Sequence, residues 1–296
     1  MSEIIETPIS LPDAARTRSI VVEALQEHGL QLPHGSRFDK YLRLLSTVEQ
    51  SVDRATDLPF ETLWPVGYAT RELDQLLVIL MFPIRDGYAH WVKKLRRILA
   101  GPPLPRRPSS HSLPYDTQFE LLLAACGKRS NLGVSIQEPD VRLVWPGGNS
   151  FVIAAKRPAS SKKVFDHYRK GQKQIQASEQ QGYVFFDWTE CLYELSLESY
   201  LPTGSVNPAE LVFDAVDYSA RWITARIRAK RLRVSDAVRG IVVFGMAAVR
   251  GPTPPFIRLH SRWSAVGLHG SESQREADSL MEIVRWVPFL TDQDMP

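Results

Sequence analysis

Asp140 and Lys156, with position 154 between them, are placed as residues that handle metal ions and phosphate esters would be. The run Glu138-Pro139-Asp140-Val141 leads into one apolar stretch, and Phe151-Val-Ile-Ala-Ala-Lys156-Arg157-Pro158 closes another; Pro146-Gly147-Gly148-Asn149 lies between them. A Gly-Gly turn between two apolar runs predicts a β-hairpin. Side chains alternate along a strand, so residues 154 and 156 project together, beside the point where Asp140 enters the neighbouring strand. A carboxylate there, facing an acid and a lysine two residues apart, would make a site for Mg²⁺ or Mn²⁺, because hard divalent cations take oxygen ligands and keep several waters. The lysine would orient or deprotonate an attacking water and stabilise charge developing on a phosphate. Position 154, however, is alanine, whose side chain offers no ligand.

The elements that must position these residues follow from periodicity. A helix is predicted over Asp116–Cys126, strands over Val141–Trp145 and Phe151–Ala155, a polar helix over 162–180 and a strand over Tyr183–Asp187. Asn207-Pro208 opens a long helix, with proline at its first position. Strands over Gly240–Val249 and Phe256–Val266 and an amphipathic helix near Gln274–Trp286 complete a mixed α/β half. Residues 1–100 read as helices: one capped by Asp13 and ending at Gly29, and one with Phe38, Leu42, Leu45, Val48 and Val52 along a single face. Two more cover Arg71–Phe82 and Tyr88–Leu99, the last burying Tyr88, Trp91, Val92, Leu95 and Leu99. The segment 101–115, GPPLPRRPSSHSLPY, has five prolines and no period, and marks a linker between a helical domain (1–100) and a second domain (116–296).

Charge is uneven. The chain of 296 residues carries a formal +3, but residues 1–100 are net −1 and residues 101–296 net +4. Lys156, Arg157, Lys162, Lys163, Arg169, Lys170 and Lys173 cluster against the single acid Asp166, and a second run from Arg221 to Arg239 includes Arg228, Lys230 and Arg231. Two such runs suit a polyanion or two solvated helix faces. The longest unbroken apolar run, Leu76–Phe82, is seven residues, against the roughly 20 needed to span a bilayer. The opening MSEIIETPIS has no signal-peptide pattern, and the expectation is a cytoplasmic protein with no membrane contact. Cys126 and Cys191 have no metal or disulfide spacing and read as core thiols. There is no Gly-x-x-x-x-Gly-Lys-Ser/Thr loop, so any ATP-driven work would fall to another chain.

Over roughly 110–190 the chain resembles the PD-(D/E)xK nuclease superfamily, with its restriction-endonuclease-like fold. Pro139-Asp140 matches the leading motif, Lys156 the final lysine and Glu120 the acidic residue of the preceding helix. The segment from Arg169 to Ile175, with Gln174, resembles the glutamine-bearing helix of some branches. The resemblance implies an α+β or α/β protein, a helical N-terminal domain followed by a mixed sheet flanked by helices. It also implies a metal held by Asp140, the side chain at 154, the Ala155 carbonyl and Glu120, with catalysis by the same acids and Lys156. Gln174, Arg157, Lys162, Lys163, Arg169, Lys170, Lys173, Arg228, Lys230 and Arg231 would contact the substrate, DNA in preference to RNA, and a role in bacterial defence would follow.

Ala154 departs from the pattern, and three readings fit. The chain is an active nuclease disabled by engineering, a natural pseudonuclease, or one whose carboxylate comes from Glu138 or Glu120 instead. The function expected is a metal-dependent nuclease, disabled at position 154. Its rival is a non-catalytic nucleic-acid-binding or scaffold subunit, and a third reading is a helical regulator whose basic segments meet protein acids. The helical domain would receive a helicase, an ATPase or another protein partner.

Overall fold

The computed structural model describes residues 6–8, 14–51, 60–101, 113–137, 140–194, 208–229, 234–250, 257–284 and 286. In chain order these form β1 (Glu6–Pro8), α1 (Ala14–Glu27), α2 (Arg37–Ser51), α3 (Phe60–Met81), α4 (Tyr88–Leu99), α5 (Leu113–Arg129), β2 (Gly133–Ser135), β3 (Val141–Val144) and β4 (Ser150–Lys156). There follow α6 (Val164–Ala177), β5 (Gly182–Asp187), α7 (Thr189–Glu194), α8 (Pro208–Ala229), β6 (Val238–Arg250), β7 (Ile257–Gly267) and α9 (Ser271–Ile283). The protein is mixed α/β, and no helix among the described residues is long and apolar enough to cross a membrane.

One sheet has the order β1-β7-β6-β5-β4-β3-β2. Its centre, β4-β5-β6, is parallel, and the pairs outside it are antiparallel. The sequence dictates that arrangement: Tyr183-Val-Phe-Phe and Ile241-Val-Val-Phe are apolar without alternation, as strands covered on both faces must be. Among the described residues each edge strand is three residues long, and Pro8 lies on one of them, which blunts further pairing. The β3–β4 hairpin turns at Gly148, whose φ of 86° is open to glycine at little cost.

Alternation along the strands sends residues to two cores. Ile153, Ala155, Tyr183, Phe185, Val242 and Phe244 pack with α1–α5 and α9, while Val152, Ala154, Val184, Phe186, Ile241 and Val243 pack with α6, α7 and α8. The first core runs unbroken from Val21 of α1 to Trp286. The helices before residue 100 are therefore layered on one face of the sheet and share its interior. Residues 102–112 of the expected linker lie outside the described residues, as do Asp13, Val52, Glu138 and Pro139; residues 113–115 belong to α5.

Most predicted elements are found within a few residues of their expected bounds. α3 departs, since it begins at Phe60 and passes through Pro65, continuing because Val66, Tyr68, Ala69 and Leu73 are buried and outweigh one forfeited backbone bond. In α4, Tyr88 is 39% exposed instead of buried, and Ile98 takes its place inside. Both cysteines are buried thiols outside any disulfide.

Candidate functional site

Asp140 and Lys156 meet. Val141 pairs with Ile153, so Asp140, one residue earlier, stands level with Ala154 on the antiparallel neighbour. Its Oδ2 accepts a hydrogen bond from the Ala155 amide at 2.7 Å and another from Lys156 Nζ at 3.2 Å. The same ammonium donates to the Ala155 carbonyl at 2.8 Å. Both side chains are only 11% exposed. Burial pushes the Asp140 carboxyl up to about 7 and the nearby Glu120 charge adds to this, with Lys156 opposing.

α5 brings Glu120 to this cluster, and its carboxylate is paired with Lys94 of α4. Nothing in local spacing reveals this pair, whose members lie 26 residues apart in the chain. Asp116, one helical turn before Glu120, is also part of the group: burial pushes it up to about 7, with Glu120 and Asp140 adding and Arg157 and Lys156 opposing. The i, i+4 spacing of Asp116 and Glu120 on α5 was the signal that could have identified it.

Position 154 lies beneath α6. Ala154 is fully buried, and a Cβ built on Gly171 would come within 3.3 Å of the Ala154 Cβ and 3.1 Å of both Val184 methyls. Two small residues thus let helix and strand approach closely, and a longer side chain at 154 would enter a packed apolar layer. Among the described residues, the oxygens expected to take a divalent cation are already engaged. An ammonium already spans Asp140 Oδ2 and the Ala155 carbonyl, a second holds Glu120, and position 154 contributes no oxygen. Among the described residues, no group of three or more His, Cys, Asp or Glu side chains is arranged to hold a metal ion.

Arg157 is not where a phosphate contact would put it. It is 4% exposed and turned inward, with Nε 3.1 Å from Asp187, Nη2 3.3 Å from Glu72 and 3.8 Å from Glu190. Arg71 and Arg37 reach the same Glu72, and Arg37 also donates to Gln118. Three arginines and three carboxylates are buried together where α2, α3, α5, α7 and the ends of β4 and β5 converge. Burial alone would raise the Glu72 carboxyl, but Arg71, Arg157 and Arg37 hold it below its ordinary range, whereas burial keeps Glu190 raised. Sequence reasoning missed this network because every partner lies far away in the chain except the Arg71-Glu72 neighbours.

The remaining candidates sit elsewhere. Lys162 and Lys163 are exposed in the turn just before α6, Arg169, Lys170 and Lys173 are exposed on α6 itself, with Arg169 3.6 Å from Asp166, and Gln174 is half-buried on that helix. Arg228 is exposed near the end of α8, 3.4 Å from the Gly267 carbonyl. Lys230 and Arg231 lie outside the described residues. Compared with models of known families, with curated proteins and with solved structures, the chain matches none.

Proposed function

We propose that this protein binds nucleic acid without cleaving it, on a restriction-endonuclease-like core whose cation site is closed by lysines. The observation that carries the reading is the position of Lys156 Nζ, which bridges Asp140 Oδ2 and the Ala155 carbonyl where a metal would have to sit. The sealing of Ala154 against Gly171 supports it, since the missing carboxylate has no space prepared for it. The nuclease-like core is supported by order and adjacency: the helix bearing Glu120, the β3–β4 hairpin, the helix bearing Gln174 and the parallel strand β5 follow one another and pack together. Binding is supported by the row of exposed cations on α6, with DNA the favoured polymer and defence against foreign DNA the role this would serve.

A metal-dependent nuclease is the second reading, favoured by the gathering of Asp140, Glu120, Asp116 and Lys156 at one strand end. One experiment separates the two. The full chain is titrated into labelled duplex DNA, single-stranded DNA and RNA over a salt series, and incubated with plasmid in Mg²⁺ and in Mn²⁺. Binding that weakens steeply with salt, with the plasmid intact in both metals, is the expected result. Cleavage that Lys156→Ala abolishes would replace the proposal with the second reading, and absence of binding to any of the polymers would overturn both.

A further inference from the structure

On α8 the side turned to the sheet is fully accounted for: Val216, Ala220, Ile223 and Ile227 are buried in the second core. A different side carries Tyr218, a ring that the core does not enclose, followed by Trp222, which packs in part against the second core and keeps the rest of its surface open. Tyr218 is 64% exposed, the highest value among the described large hydrophobic side chains, and Trp222, one turn on, is half-buried. Arg226, another turn on, holds its guanidinium carbon 5.4 Å from the Trp222 ring centroid, and Arg221 is exposed between them. Spacing of four residues makes these one stripe along the helix. The Trp222 ring meets Phe165 of α6 at 5.9 Å between centroids, just after the exposed Lys162 and Lys163. Both helices link parallel strands and pack on the same side of the sheet, so the exposed cations of α6 and the stripe of α8 lie on one side of the molecule, joined at the Phe165–Trp222 contact.

We infer that this face is a stacking platform for single-stranded nucleic acid, an inference that rests on the nucleic-acid reading above and names its form. A duplex keeps base faces inside the stack and offers phosphates and groove edges, on which an exposed ring cannot stack. A single strand offers both, and base–aromatic stacking beside cations accounts for Tyr218 and Trp222 together with the lysines and arginines. The acids of α8 lie toward its start: Asp214 is exposed and Asp217 is bound by Arg262 at 2.8 Å, so the cationic track begins beyond Tyr218.

Anisotropy titrations of the full chain test this, using labelled oligothymidylate, an abasic strand with the same number of phosphates, and a duplex. Oligothymidylate should bind at least about fivefold more tightly than the abasic strand, and Tyr218→Ala should remove most of that difference without changing duplex binding. Tyr218→Phe, which keeps the ring face, should retain it, and Trp222→Leu should also weaken binding to the base-bearing strand. Equal affinity for the two single strands, or no loss in Tyr218→Ala, would overturn the platform while leaving phosphate binding intact. Failure to bind any of the three probes would instead overturn the underlying nucleic-acid reading.

Discussion

At Asp140, the arrangement that closes the site also fixes how the protein responds to pH. Burial raises this carboxyl to about 7 in the folded protein, against about 4 in an unfolded chain. Between those values the folded state keeps a proton that the unfolded state has released. The stabilisation is therefore complete below the unfolded value and is lost as pH rises through the folded one. Replacing Asp140 by Asn removes that dependence. The variant, compared with the unmodified protein by denaturant unfolding, should gain relative stability between pH 5 and pH 8, on the order of 2 kcal/mol. An offset independent of pH would mean that Asp140 is not the buried, proton-retaining group described. Asp116 responds in the same direction, so its Asn variant should flatten part of the remaining slope. Asp140 and Lys156 were legible in the sequence because both lie on one hairpin, whose alternation places them. Lys94 and the Arg157 partners were not, because nothing local encodes a pairing made by the folding of distant helices.

The contact between α6 and β4 decides what position 154 can hold. An exposed glycine within a helix would ordinarily gain about 1 kcal/mol on conversion to alanine. Gly171 should do the opposite: its added methyl would come within 3.1 Å of Val184 on the central strand β5, and that side chain is fully buried. Gly171→Ala is expected to cost about 1–2 kcal/mol. Ala154→Glu should cost more, about 3 kcal/mol or above, because it adds volume and a carboxylate to an apolar layer. Thermal melts should show the ordering wild type, Gly171→Ala, Ala154→Glu, and the glutamate variant should leave plasmid intact in Mg²⁺. If that variant folds normally and cleaves, position 154 is a disabled ligand site and the closed-site proposal fails. The polar period of α6 and the apolar runs of β4 and β5 were readable from the sequence. The closeness of their packing was not, since a glycine in a polar helix and an alanine in a strand give no sign that they face each other.

Across the whole molecule, the buried network ties the N-terminal helices to the sheet. Glu72 belongs to α3, Arg157 follows β4, Asp187 ends β5 and Glu190 starts α7, and the three arginines and three carboxylates balance in charge. Such a cluster is poor evidence of added stability, because desolvation offsets much of the attraction, but removing one member leaves an uncompensated charge in the interior. Glu72→Gln leaves Arg37, Arg71 and Arg157 facing two carboxylates, one of them with a raised protonation range, and should cost about 3–5 kcal/mol. Because the first core runs from α1 to Trp286 without a break, that loss should be felt on both sides of the network at once. Native-state hydrogen exchange is the measurement that resolves this, amide by amide. Protection in α3 and α4 and protection in β4 and β5 should fall by the same amount in Glu72→Gln. A fall confined to α1–α4, with the strands keeping their protection, would show that the helical layer opens on its own and that the Pro-rich segment after Gly101 separates two units after all.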